Sequence, residues 1–381
     1  MTIPRFRIWF GTTAATLEQL RRIEQIEVTQ EMDAIWEARI EMVLQLDAKG
    51  SWLDWPGDKQ APFSRVRVEI DPGNGSFAAL IDGPLLSIDA AMDAQPGRSM
   101  VTMVVRDDSA FLHRDEDTEP PFEHRSDGQI AQELFGRFAQ IKTQNIRGTQ
   151  VTPETTIRRG TVLHFLRDLA RANDRHAYVL PGPTPGTSIG CFLPDPQGPA
   201  TLPALRMIGQ SRNIENARVT EDPHGGERTK ARVLRVDDKG NAAFETSAAE
   251  LGLMRDLPAR PADLTPRRLL HPAENTRADP SAAATGAARR GGYVYRLDGE
   301  MVPGRYTAVL VPYQKVRLDA GAMPYSGDYL ITRVVHRITP SLYSQHLAAK
   351  TDSVSTVPAS PAAAAGGGGG GVQASVSVGI F

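Results

Sequence analysis

Apolar and polar residues alternate over much of the first hundred positions. Ala38, Ile40, Met42, Leu44 and Leu46 are interleaved with Arg39, Glu41, Val43 and Gln45. Successive strand side chains point to opposite faces, so this set lays one apolar face on a core. Val66, Val68 and Ile70 alternate with Arg65, Arg67 and Glu69 in the same way. Pro72-Gly73-Asn74-Gly75 then marks a hairpin, because Asn-Gly takes the positive φ angles such turns need. A strand over Phe77 to Ile88 is interrupted at Gly83-Pro84, which predicts a bulge or an edge. Val101, Met103 and Val105 continue the alternation, Arg5–Phe10 opens it, and Ala14 to Ile26 reads as a short helix running into a strand. About six strands have the regular spacing of a sandwich or barrel, and a small β-barrel is expected.

The period changes after the charged, Pro-broken stretch His113–Arg125. Ser126 and Gln129 form a capping box, and Ile130, Leu134, Phe135 and Phe138 share one helical face. Thr161 opens a second helix with Val162, Phe165, Leu166, Leu169 and Ala170 as its stripe, ending near Asn173 before a strand at Ala177–Leu180. Pro181–Pro203 reads as a long loop. Arg218–Val236 reads as strand, loop, strand, and Ala248–Arg290, rich in Pro, Ala and Arg, as surface loop or disorder. Strands are expected again at Tyr293–Leu297, Tyr306–Val311, Lys315–Leu318, Tyr329–His336 and Ser344–Ala349. Six glycines, Gly366–Gly371, tether a last segment in which Val372, Ala374, Val376, Val378 and Ile380 alternate with polar or small residues. Such a tether is flexible, with a reach of roughly 12–15 Å.

The expected architecture is mainly β with an α+β insert. Its divisions are a first β-barrel over 1–112, a small α/β domain with two helices over 113–215, a second barrel over 216–355 with a loop-rich insertion near 248–290, and a Pro/Ala/Gly linker with a strand-like tail over 356–381. The 381 residues suit two to three such units. Gly and Pro, at 34 and 28, fit many turns, and the single cysteine, Cys191, rules out an intrachain disulfide framework. With 43 basic and 45 acidic side chains the net charge is −2, which gives no cause to expect a nucleic-acid or acidic-membrane partner. Pro4, Arg5 and Arg7 interrupt the N-terminus before any signal-peptide core could form, so synthesis in the cytoplasm without a signal peptide is expected, with no membrane insertion.

Candidate chemistry is sparse. Gly186-Thr187-Ser188-Ile189-Gly190 matches the serine-hydrolase elbow, which needs a strand feeding a sharp turn into a helix. Prolines flank it on both sides, so Ser188 is a weak nucleophile candidate. His113 to Asp117 could offer metal ligands, but no second cluster has site-like spacing, and a solvated linker is the simpler reading. His164 reads as a surface or boundary residue, and His336 and His346 as structural. The pairs Arg158-Arg159, Arg267-Arg268 and Arg289-Arg290 lack interleaved aromatics and give little reason to expect nucleic acid. Trp9, Trp36, Trp52 and Trp55 are expected to pack in the core or at its rim. No catalytic residue, metal ligand or cofactor site is assigned.

The order of these elements resembles the phage late control D family, the hub of the tail baseplate. The resemblance rests on Gly83-Pro84-Leu85, Val101–Val105-Arg106-Asp107-Asp108 and Leu112, then on Ser126-Asp127-Gly128-Gln129-Ile130-Ala131. It continues through Phe165-Leu166-Arg167-Asp168-Leu169-Ala170-Arg171-Ala172-Asn173 and ends with Ser326-Gly327-Asp328-Tyr329 and Val335-His336. It spans about residues 5–350. It implies two tube-type β-barrel domains flanking a small α/β domain, and a trimer whose six barrels join a six-fold tube to a three-fold spike. The implied partners are a second and third copy of the chain, a separate spike protein, an inner tube or tube-initiator protein and baseplate wedge components. Sequence-specific nucleic acid is not among them. The implied location is a phage tail or injection-system baseplate. A tail-associated hydrolase using Ser188 is the alternative. The tail residues Val372, Val376, Val378, Ile380 and Phe381 lie outside the resemblance and are assigned as a partner interface formed by strand addition.

Overall fold

The computed structural model describes residues 5–46, 52–53, 62–95, 97–116, 120–221, 230–235, 242–247, 267–270 and 280–354. In chain order the longer strands are β1 Arg5–Phe10, β2 Ile23–Glu31, β3 Glu37–Val43, β4 Arg65–Asp71, β5 Ala78–Ala91 and β6 Met100–Arg106. They continue with β7 Ile141–Ile146, β8 His176–Pro181, β9 Ser188–Leu193, β10 Ile214–Glu221, β11 Tyr295–Met301, β12 Lys315–Asp319, β13 Gly327–Ile338 and β14 Tyr343–Thr351. Among the described residues the helices are α1 Leu17–Arg21, α2 Ser109–Arg114, α3 Asp127–Gly136, α4 Val162–Ala172 and α5 Pro280–Gly292.

One 13-stranded sheet runs through both β-rich halves, in the order β10-β11-β14-β13-β2-β3-β6-β5-β4-β1 with shorter strands at its margins. The joint is the antiparallel pairing of β13 with β2, from Arg333 opposite Glu31 to Ile338 opposite Ile26. The two stretches expected as separate barrels therefore share a backbone ladder, while each keeps its own core. Ile26, Val28, Ile40, Val66, Ile81 and Met103 lie in the first core, and Leu297, Val316, Tyr329, Ile331, Val334 and Leu347 in the second. The molecule is mainly β with a small α/β part, as the alternation indicates.

Two irregularities shape the sheet. β5 pairs with β4 as far as Pro84 and with β6 from Leu85 onward, so the strand turns a corner at Gly83-Pro84. A Cβ on Gly83 would run into the Arg106 carbonyl oxygen, so only glycine fits there. The ladder also shifts register between Leu85 and Ser87, the bulge the sequence leads one to expect. In β13 a shift between Ile331 and Arg333 frees the Thr332 carbonyl, which accepts the Met32 N–H at 2.8 Å. Beneath the joint His336 is fully buried between Tyr343 Oη at 2.9 Å and Gln30 Oε1 at 3.1 Å, and Gln30 in turn donates to the Leu80 carbonyl. Since Gln30 Oε1 only accepts, His336 Nε2 carries the proton and Nδ1 receives the Tyr343 hydroxyl. Burial pushes the His336 pKa down to about 3, so the ring is neutral and structural, as expected.

The helical part follows its local signals. Ser126 caps α3 with the reciprocal Gln129 bond, and Thr161 caps α4 through the His164 N–H. Their apolar faces meet Phe122, Ile141, Val179 and Phe192 in a third core.

Several expectations are corrected. Pro181–Pro203 is not all loop: β9 lies within it as the centre of a three-stranded sheet, parallel to β7 and antiparallel to β8. Its Cys-Phe-Leu run is short and Pro-flanked, which hid it. Tyr306–Val311 forms no strand, because the Gln345 side chain takes the place of a neighbouring strand. Gln345 Oε1 accepts the Leu310 N–H at 2.8 Å, and Nε2 donates to the Ala308 carbonyl at 2.9 Å. Ala248–Arg290 holds a strand at Arg267–Leu270 and most of α5, where Ala287 and Ala288 are buried. Alanine is the best helix former, so an alanine-rich stretch needs few large apolar residues to be helical.

Candidate functional site

The α/β part is locked to the sheet through buried charge. Arg65 and Arg67 alternate with valines on β4 as in a strand with one apolar face, yet both faces of β4 are buried. The loop between β8 and β9 covers the second one. Arg67 donates to Glu69 Oε1 at 2.8 Å, to Asp82 Oδ2 at 3.0 Å and to the Gly182 carbonyl at 2.7 Å. Arg65 binds Asp82 Oδ1 at 2.7 Å and grips both Asp108 oxygens at 2.9 Å. Gly186 N–H closes the network on Asp82. Burial raises the Asp82 pKa against the pull of both guanidinium groups. Next to it, burial lifts fully enclosed Asp107 to about 6 although Ser109 and the Trp36 N–H bind it.

Ser188 belongs to this layer. It is 1% exposed, stands first in β9 and accepts from Arg65 Nη2 at 3.1 Å. Its motif leads into a strand, with no helix behind it, so the elbow geometry is missing and no base is bonded to the hydroxyl among the described residues.

A second cluster joins three parts of the chain. His176 at the start of β8 reaches Asp33 Oδ1 at 3.1 Å and Asp195 Oδ1 at 3.0 Å. Asp33 sits in the β2–β3 turn with φ of 58°, and its N–H donates to Tyr313 Oη at 2.7 Å. Tyr178 stacks on Tyr313 with ring centres 3.6 Å apart, and Tyr293 donates to Asp195 Oδ2 at 2.8 Å. Burial alone would lower the His176 pKa, but the two carboxylates overcome it and raise the value to about 9. The imidazolium holds Asp33 and Asp195 below the usual carboxylate range. The ion set is arranged for cohesion: each carboxylate is already bonded, and Cys191 beside Tyr178 is buried with its thiol pushed up to about 11.

Other residues singled out in the sequence are scattered. His113 lies in the last turn of α2, whereas Asp117 lies outside the described residues. His164 is exposed and pairs with Asp168 one helical turn on, and His346 pairs with Asp298. Trp36 is core, Trp9 donates to Glu69, Trp52 falls in a two-residue strand, and Trp55 lies outside the described residues. Arg158 is buried against Asp115, and Arg289 binds Asp174. Val372, Val376, Val378, Ile380 and Phe381 all lie outside the described residues. Among the described residues no group of His, Cys, Asp and Glu could hold a metal, and no helix is long and apolar enough to cross a membrane.

No protein-family model matches the sequence, and no curated protein does. Solved structures do match, along nearly the whole chain. A tail protein from Neisseria meningitidis superposes with a TM-score of 0.61 at 12% identity, covering 93% of this chain and 98% of its own. The 43 kDa tail protein of a Shewanella oneidensis prophage gives 0.60 at 13%, covering 92% and 99%. An Escherichia coli component of the type VI secretion system gives 0.54 at 10%, covering 89% and 76%. Both β halves and the intervening α/β part are thus matched together, and the chain has the fold of phage tail proteins, as the resemblance implied.

Proposed function

We propose that the chain is the structural hub of a contractile-tail or injection-system baseplate, acting through its interfaces. The observation that carries this is the single sheet with two cores, in a fold matched nearly end to end by tail proteins. On this reading residues 1–112 and 216–355 are the two tube-like units and 113–215 is the clamp that sets their relative position. Three copies present six such units, which suits a ring between a six-fold inner tube and a three-fold spike. Its partners are then two further copies, a separate spike protein, a tube or tube-initiator protein and wedge components, within an assembled particle. A chain of a Francisella PdpA–VgrG complex matches 94% of this chain over 59% of its own length, with a TM-score of 0.55 at 10% identity, which supports a spike-type partner. The tail residues Val372 to Phe381 add a strand to a neighbouring sheet. The alternative hydrolase finds no support in Ser188, whose hydroxyl is buried and bound by Arg65.

Light scattering of the chain, alone and co-expressed with its spike, tests the hub. A mass of about 124 kDa, three times 41.4 kDa, is expected in at least one condition. A strict monomer or dimer in both overturns it. Removing residues 366–381 tests the tail separately: spike binding and assembly are expected to weaken, and unchanged assembly removes that part of the reading.

A further inference from the structure

A cavity of about 590 Å³ opens where the loop after β9, the end of α5 and the ends of β12, β13 and β14 converge. Its size falls within the roughly 300–1,000 Å³ of ligand pockets. Four cations line it: Arg289, Lys315, Arg317 and Lys350. Three carboxylates, Asp195, Asp328 and Asp352, line it too; Arg289 pairs with Asp174 and Asp195 with His176 outside the lining, so Lys315, Arg317 and Lys350 face Asp328 and Asp352 with one positive charge left over.

The carboxylates are largely spent. Asp195 serves His176 and Tyr293, and Asp328 serves Arg317 and the Ala200 N–H. Three of the cations are not. Among the described residues Lys315 gives one bond, to the Gly198 carbonyl at 3.1 Å, and Arg317 uses Nη1 alone, at 3.3 Å. Lys350 has no hydrogen-bond acceptor among the described residues: its Nζ stands over the Tyr293 ring, 4.1 Å from the centre. Burial lowers its pKa, with Asp195 opposing. An ammonium with three donors and only a ring for company is poised for an anion. Leu330, Val354, Pro196 and Pro199 supply apolar wall beside these donors.

We infer that this cavity is a binding site for an acidic peptide segment of a partner protein, a side-chain carboxylate seated on Lys350 and Arg317 with an aliphatic neighbour against Leu330 and Val354. A single carboxylate neutralises the one surplus charge, whereas a phosphate dianion overshoots it and meets Asp328 and Asp352. The site does not depend on the hub reading, since any partner with such a segment fits it.

Calorimetric titration of the full chain with acetyl-Leu-Glu-Leu-amide tests the inference. Saturable one-to-one binding is expected, at least tenfold weaker for the Gln isostere and for Lys350→Met. Arg317→Leu, at a side chain 43% exposed, is a second variant that leaves the Tyr293 contact in place, and it should weaken binding severalfold with an unchanged melting curve. No saturation up to roughly millimolar peptide, or equal affinity for the Gln peptide, overturns the site. So does unaltered binding in both variants. Inorganic phosphate displacing the peptide at equal concentration also overturns it, in favour of a phosphate site.

Discussion

Replacing Arg67 with Met keeps most of the side-chain volume and removes one charge from the layer beneath the β8–β9 loop. The arginine is 4% exposed, and its partners Asp82 and Glu69 are 0% and 10% exposed at their side chains. Three acceptors lose a donor at once: Glu69 Oε1, Asp82 Oδ2 and the Gly182 carbonyl. Asp82 keeps Arg65 and the Gly186 N–H, and Glu69 keeps the Trp9 indole, so the loss is partial for each. Breaking a buried pair from one side costs about 3–5 kcal/mol, most of it the price of the charge left behind. That origin has a signature in pH. The Asp82 pKa is already raised, and without Arg67 it rises further, so the variant's deficit is largest at neutral pH and shrinks on acidification as Asp82 takes up a proton. Urea unfolding followed by tryptophan fluorescence, at neutral pH and at several lower values, measures it, because Trp9 sits on the network through Glu69. A deficit below about 1 kcal/mol, or one independent of pH, refutes the account and makes the layer ordinary packing.

Three further outcomes follow from the same contacts. Ser188→Ala removes one of the acceptors of Arg65, which keeps Asp82 and Asp108, so a stability loss of no more than about 1 kcal/mol and unaltered assembly are expected; abolished function with intact assembly would restore the hydrolase reading. The raised His176 pKa adds stability that is complete below 6.5 and is lost as pH climbs through about 9, so melting temperatures should fall between pH 7 and 10, and His176→Gln should flatten that slope. Gln345→Met strands the buried Leu310 N–H and the Ala308 carbonyl, and at about 1–3 kcal/mol for an unsatisfied buried group chemical denaturation should show a clear loss; a change within about 0.5 kcal/mol would mean that the Tyr306–Val311 segment finds other partners.

What could be read from the sequence was what neighbouring residues decide. Ser126 with Gln129, and Thr161 with the stripe from Val162 to Ala170, set α3 and α4 through contacts three and four residues apart. The alternation from Ala38 to Met42 placed β3 because a half-buried strand carries its own pattern. β7 escaped notice: of Ile141 to Ile146 only Ile141 is buried, and a polar edge strand paired in parallel leaves no local mark. The buried charge failed to announce itself for a related reason. Arg65, Arg67 and Glu69 alternate as a solvated face would, and the loop that covers them lies 115 residues away at Gly182. His176 and Asp33 are 143 residues apart. The order of motifs conveyed the fold through resemblance where periodicity could not.

The β2–β13 joint has a consequence for how the protein is made. Glu27 and Arg337, paired across it, are 310 residues apart, so β2 leaves the ribosome long before its partner exists. At about 5–20 residues per second the wait is roughly 15–60 s. During it Ile26 and Val28 and the outer backbone row of β2 form a naked edge, the kind that recruits foreign strands. A chain truncated before Arg333 keeps that edge permanently and should aggregate even with its N-terminal core intact. On a crowded polysome the first strand to arrive can be the β13 of a neighbouring nascent copy, which makes strand exchange between copies a natural by-product of synthesis.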